Sequence, residues 1–302
     1  MKLHVRIFFG ALAIVVLASV SEPALRWMDI HWWSETLKDT WGRVRYGEDW
    51  GALQPLPSGL DYRWLDGSPK PILIAHALGE SEQTSQNTIA ALDRAVASGL
   101  KLLEIDVWLD TDGRLRCHHG PSKPLPWVPG ECTLADALHA AAQHQAWLIL
   151  DIKTDFPTAG AAIVQEFAND PAATQLIFQL YRPADVVLFS TWAKQLPLPG
   201  PIVTAYRARR SLEHIAGEAP RLGIHAFTMP LYRLAALNGA HPPMALLVHP
   251  VHDCDAVREA ERFGMDGYYL STQLLLELRS DCGLAARPSP NRLTSRRPAN
   301  KT

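Results

Sequence analysis

The residues best able to do chemistry stand together in one short stretch, Leu-Leu-Glu-Ile-Asp-Val-Trp at positions 102–108. In a strand successive side chains point to opposite faces, so Leu103, Ile105 and Val107 share one face and Glu104 and Asp106 the other. On a barrel strand the apolar face meets surrounding helices, which leaves both carboxylates aimed inward. Like charges that close raise each other's pKa unless a cation intervenes. Side-by-side carboxylates therefore suit a hard divalent cation with oxygen ligands, Mg2+ or Ca2+. An ion pair with a Lys or Arg of a neighbouring strand is the other reading of the same pattern. Positions 147–153 repeat the alternation: Leu148, Leu150 and Ile152 face the helices, while Ile149, Asp151 and Lys153 face in. Asp151 then supplies a third oxygen ligand and Lys153 a fixed positive charge.

Two histidines add proton chemistry. His76 ends the apolar run Ile72-Leu73-Ile74-Ala75, and His118 and His119 end Arg114-Leu115-Arg116-Cys117. Of the adjacent pair, His119 is in phase with Leu115 and Cys117. Imidazole titrates near neutral pH, so His76 and His119, at the ends of separate strands, can serve as base and acid.

These residues need strands to hold them, and the chain supplies a regular series. Strands are predicted at 72–76, 102–108, 114–118, 147–153, 176–181, 202–206, 224–228, 245–249 and 267–270. Helices are predicted between them, among others at 87–98 with Gly99 as its stop, at 133–144 behind a Thr cap, and at 256–263 before Gly264. Strand–helix alternation over roughly 200 residues points to a parallel α/β fold, with a closed TIM-type (β/α) barrel as the commonest solution. An open doubly wound sheet is the competitor. No G-x-G-x-x-G opens the first strand–helix connection, which disfavours its dinucleotide-binding form.

The ends of the chain differ from this body. Lys2 and Arg6 precede an apolar run from Ile7 to Val20, followed by Ser21, Glu22 and Pro23. A basic start and a short apolar stretch describe an export signal, and the run is short for a permanent membrane span. Residues 1–21 are therefore expected to be a signal peptide or membrane anchor, with the remainder exported. Residues 22–70 form an extension rich in tryptophan: Trp27, Trp32, Trp33, Trp41, Trp50 and Trp64. Those rings suit either a membrane–water interface or the outside of the barrel. The barrel is expected over 71–282. Residues 283–302 carry five basic and no acidic residues among Pro, Ser, Asn and Ala, the composition of a disordered tail. A formal net charge of −2 gives no global field for nucleic acid, which is excluded as a partner. Cys117, Cys132, Cys254 and Cys282 are even in number and lack C-x-x-C spacing, so pairing in an oxidising compartment is open to them and a zinc site is not indicated.

Taken in order, His76-Ala77-Leu78-Gly79, Asn87-Thr88, Glu104-Ile105-Asp106-Val107, Thr111-Asp112-Gly113 and His119 resemble the successive motifs of the glycerophosphodiester phosphodiesterases. That family is a (β/α) barrel related to phosphatidylinositol phospholipase C and sphingomyelinase D. The likeness is close over 72–119, extends to Lys153, and continues as pattern to 270, where Asp266-Gly267-Tyr268 is similar to the family's last strand. It implies metal-dependent hydrolysis of a phosphodiester derived from glycerophosphodiesters or phospholipids. Glu104, Asp106 and Asp151 would hold the cation, His76 and His119 would move protons, and Lys153 would meet the phosphate. The chain departs from the family at Ala77 (Arg there), Gln86 (Glu), Gly120 (Asp) and Asp151 (Glu), which marks a divergent branch. With that Arg and Glu replaced, a non-catalytic barrel binding a phospho-ligand at the membrane surface is the alternative.

Overall fold

The computed structural model describes residues 52–80, 86–120, 132–204, 212–231, 234 and 243–280. The chain divides into two units, Met1–Gly47 and Glu48–Thr302, and the described residues lie in the second. The expected export segment, most of the tryptophan-rich extension and the basic tail lie outside them. Among the described residues no helix is long and apolar enough to cross a membrane.

Nine strands are present: β1 (Ile72–Ala75), β2 (Leu102–Leu109), β3 (Leu115–Cys117), β4 (Trp147–Ile152), β5 (Leu176–Leu180), β6 (Ile202–Thr204), β7 (Ala226–Met229), β8 (Ala245–Val248) and β9 (Gly267–Leu270). All pair in parallel except β3, which runs antiparallel to β2. The order β1-β9-β8-β7-β6-β5-β4-β2 closes through a further β1–β2 pairing, so the eight parallel strands form a barrel. Eight helices accompany them among the described residues: α1 (Arg63–Asp66), α2 (Ile89–Ala97), α3 (Leu134–Gln143), α4 (Phe156–Glu166), α5 (Pro183–Trp192), α6 (Leu212–Leu222), α7 (Cys254–Arg262) and α8 (Thr272–Ser280). The closed sheet settles the choice between barrel and open sheet.

Local sequence explains the element ends. Thr88 caps α2 by accepting from the Ala91 amide. Thr133 and Asp136 form a reciprocal capping box on α3. Most expected strands are one residue shorter at the C-terminal end, because the chain turns there to present a side chain at the rim. At the first strand this turn is sharp. Ala77 (φ 48°) and Leu78 (φ 62°) are both left-handed, a conformation that costs a non-glycine residue about 1–2 kcal/mol. Gly79 (φ 96°) completes the turn, and a Cβ there would come within 2.5 Å of Thr272 Oγ1.

The strand alternation sorts two cores. Leu103, Ile105, Val107, Leu148, Leu150 and Ile152 join helix residues such as Leu92, Leu138, Ile163 and Phe189 in the outer layer. Ile72, Ile74, Leu102, Ile149, Ile177, Ile202, Leu247 and Tyr269 fill the barrel interior. Tyr62, Trp64 and Leu65 belong to that inner cluster and stop its N-terminal end. Trp64 is 1% exposed, and its Nε1–H donates to the Gly200 carbonyl at 3.0 Å. It therefore serves neither of the two roles expected from sequence: it is a floor for the barrel, not a belt or an outer packing ring. Burying an indole of this kind contributes about 4–6 kcal/mol on an area basis.

Candidate active site

Parallel register brings the inward carboxylates together at the C-terminal mouth. Asp106 of β2 pairs with Asp151 of β4, and Glu104 lies one inward step below Asp106. Glu104, Asp106 and Asp151 are all buried, and one carboxylate oxygen from each lies within 4.8 Å of the others. Lys153 closes the group: its Nζ is 2.9 Å from Asp106 Oδ1 and 2.6 Å from Asp151 Oδ2. Burial acts to lower the Lys153 pKa, but Asp151, Asp106 and Glu104 outweigh it and hold the ammonium charged. The ion pair expected as the alternative to a metal site is thus present for two of the three carboxylates.

Glu104 is different. Its Oε2 accepts from the Ala77 amide at 2.7 Å, while Oε1 has no hydrogen-bond partner among the described residues. Burial, then Asp106 and Asp151, push its pKa well above the ordinary carboxylate range. A buried acceptor without a donor is costly. This orphan oxygen, beside two further carboxylates, fits a divalent cation with oxygen ligands.

A supporting layer fixes the ligand orientations. Asn87 is 4% exposed; its Nδ2 donates to Asp106 Oδ2 at 2.8 Å and its Oδ1 accepts from the Asp106 amide at 2.9 Å. The Asn87 amide donates to the Ala77 carbonyl, so the strained first turn is tied to β2 from both sides. Asn tolerates the required φ of 56° better than most residues. On the other flank Tyr181 donates to Asp151 Oδ1 at 2.7 Å and accepts from Gln179 Nε2. Gln179 Oε1 in turn accepts from Tyr269 OH at 3.0 Å.

His76 stands at the rim of this cluster, its Nε2 4.0 Å from Glu104 Oε2. Burial, only partly offset by Asp106, lowers its pKa to about 4, so the ring is neutral at pH 7. Its edge meets His249, whose ring packs against Tyr269 in the same manner, with centroids 4.8 and 4.6 Å apart. His249 follows β8 and lies outside the motifs that mark His76 and His119. A histidine ending an apolar strand was the available signal, the same one that His76 gave.

His119 is not gathered into the cluster. The chain leaves β3 after Cys117, so the phase with Leu115 and Cys117 does not carry two residues further. His119 is exposed and makes no hydrogen bond or ion pair among the described residues. Its neighbour His118 stacks on Trp108 and accepts from the Gly120 amide at 3.2 Å. Gly120 lies against the same indole, where a Cβ would come within 2.8 Å of the ring, so the Asp expected from the family has no room. A disulfide joins Cys117 to Cys132 across this segment, with Cα atoms 5.3 Å apart, and Cys254 is also disulfide-bonded.

The described unit is an eight-stranded parallel (β/α) barrel whose acidic mouth Lys153 partly offsets, and several solved structures are similar to it. A glycerophosphodiester phosphodiesterase from Parabacteroides distasonis is 21% identical, with a TM-score of 0.55 over 70% of this chain and 99% of its own. A phosphodiesterase from Oleispira antarctica, solved with the product sn-glycerol-3-phosphate, is 19% identical, with a TM-score of 0.53 over 70% and 98%. A glycerophosphodiester phosphodiesterase from Thermotoga maritima is 18% identical, with a TM-score of 0.50 over 69% and 98%. No family model and no curated protein matches the sequence.

Proposed function

We propose that this protein hydrolyses phosphodiesters of the glycerophosphodiester or lipid-headgroup type with the help of a divalent cation. The observation that carries the reading is the buried Glu104–Asp106–Asp151 group with Lys153 at the mouth of this barrel. Its fold is shared with a solved glycerophosphodiester phosphodiesterase and with a solved phosphodiesterase holding the product sn-glycerol-3-phosphate. Mg2+ or Ca2+ on these oxygens would draw charge from the phosphoryl group. Lys153 adds fixed positive charge where the reaction develops negative charge. The neutral His76 would accept the proton of the attacking hydroxyl, and His119, exposed two residues beyond β3 and outside the carboxylate cluster, would have to approach the departing alcohol to return one.

Turnover of an aryl phosphodiester, with and without chelator, tests the reading directly. Activity that needs Mg2+ or Ca2+ supports it; turnover untouched by chelation removes the metal. Parallel assays on soluble glycerophosphodiesters and on phospholipid vesicles separate the two substrate types. Binding without turnover would favour the second reading, a phospho-ligand-binding barrel. Its support is the use of Ala77 and Gln86 in structural bonds, to Glu104 and to the Glu80 carbonyl. We also propose that the barrel works outside the cytoplasm, with the N-terminal segment as signal or anchor to a membrane. The Cys117–Cys132 disulfide supports this, since such bonds persist in oxidising compartments. A C-terminal reporter active only inside the cytoplasm would contradict it.

A further inference from the structure

Lys153 leaves the carboxylates unequally served. It lies against Asp106 and Asp151, while Glu104 Oε1, fully buried, has no hydrogen-bond partner among the described residues. His76 and His249 also stand close to Glu104. One ligand atom from each of His76, Glu104 and His249 lies within 4.8 Å of the other two. The three come from three separate elements: the turn after β1, the middle of β2 and the residue after β8. Edge-to-face packing of His249 on both His76 and Tyr269 fixes its ring.

We infer that His76, Glu104 and His249 form a second metal site, selective for a borderline divalent cation such as Zn2+ and inhibitory when filled. Two imidazole nitrogens and one carboxylate are a ligand set for Zn2+ or Co2+, whereas Mg2+ and Ca2+ prefer oxygen alone. Glu104 Oε1, without a hydrogen-bond partner among the described residues, is an acceptor that such a cation would satisfy. Glu104 belongs to both groups, so filling this site draws it from the oxygen site. It also occupies the lone pair with which His76 takes a proton. The inhibitory part rests on the proposed hydrolysis; the binding part does not.

The test uses the full chain, freed of metal by chelation and titrated with Co2+ as an optically visible stand-in for Zn2+. A visible absorption band at one equivalent is expected, displaced by Zn2+ and not by Mg2+ at similar concentration. His249→Phe keeps the ring contacts and removes the ligand atom. It should weaken Co2+ binding by at least about 100-fold, beyond the 10–100-fold typical of groups that only support a ligand. His249→Gln serves as a second variant with the same expectation. An unchanged band in both variants, or no band in the wild type, overturns the site. Zn2+ should inhibit turnover supported by Mg2+ or Ca2+ in the wild type, and excess Mg2+ or Ca2+ should relieve it. Co2+ binding that depends on His249 without turnover under any cation would sink the hydrolase reading and leave this site standing. Turnover insensitive to Zn2+ alongside a normal Co2+ band would overturn the inhibitory role.

Discussion

The two ends of the barrel interior are built on the same strands and obey opposite rules. β1 contributes Ile72 and Ile74 below and leads to His76 above; β2 contributes Leu102 below and Glu104 and Asp106 above; β4 contributes Ile149 below and Asp151 above. The lower end is apolar, self-satisfied and stopped by Trp64. The upper end concentrates three buried carboxylates, a lysine and two imidazoles, with one carboxylate oxygen left over. A single period of two along each strand therefore serves stability for the first inward positions and chemistry for the last. Catalytic potential here is bought from the floor, which must hold the barrel together while the mouth works against it.

Variants can break that division. Glu104→Gln carries the largest expected effect: loss of about 10³-fold or more in turnover, measured with saturating Mg2+ or Ca2+. The same change should stabilise the metal-free protein. The raised Glu104 pKa means that the native state retains a proton above the pH where the unfolded chain has lost it. Its stability contribution is full below the unfolded value and declines as pH rises through the folded one. Melting curves above neutral pH should then show Glu104→Gln melting higher than wild type without metal, and a smaller gap at pH 4.

His119→Ala should lose about 10²–10⁴-fold in turnover and His118→Ala far less, if the rim residue delivers the proton. The opposite ranking in steady-state assays would assign the role to the ring that stacks on Trp108. Lys153→Met should lower turnover by about 10²–10³-fold with metal still bound. Because Lys153 bridges Asp106 and Asp151, a pure counter-ion role predicts something else: altered metal affinity, with the rate restored at saturating metal. Equilibrium dialysis beside kinetics separates the two.

At the floor the readout reverses. Trp64→Ala should cost about 3–5 kcal/mol of stability. At about 2–4 °C per kcal/mol for a domain of this size, the melting temperature falls by roughly 6–20 °C. Turnover per folded molecule should hold. Tyr181→Phe, between the two regimes, removes one hydrogen bond to Asp151 and should cost about 0.5–1.5 kcal/mol, a change in metal affinity of about tenfold at most.

Much of this was legible in the sequence because strand periodicity is strict. The inward phase of Glu104, Asp106, Asp151 and Lys153 follows from counting by two, and the apolar partners confirm it by joining the outer layer. Periodicity fails where strands end. The phase of Leu115 and Cys117 does not extend to His119, because the chain leaves β3 at Cys117. His249 and Tyr181 also follow strand ends, where a side chain's direction depends on the turn that begins there. The bonds of Asn87 to Asp106 needed a left-handed residue that no local pattern announces. The position of Trp64 before the first strand says nothing of which opening it enters, so its burial in the inner cluster is not legible from sequence.

The Trp64 floor has a consequence for traffic. From Trp64 upward the barrel interior is filled by Ile72, Ile74, Leu102, Ile149, Ile177 and Tyr269, so nothing threads the barrel from end to end. Under the proposed hydrolysis, diester and both products would therefore share the C-terminal mouth for entry and exit.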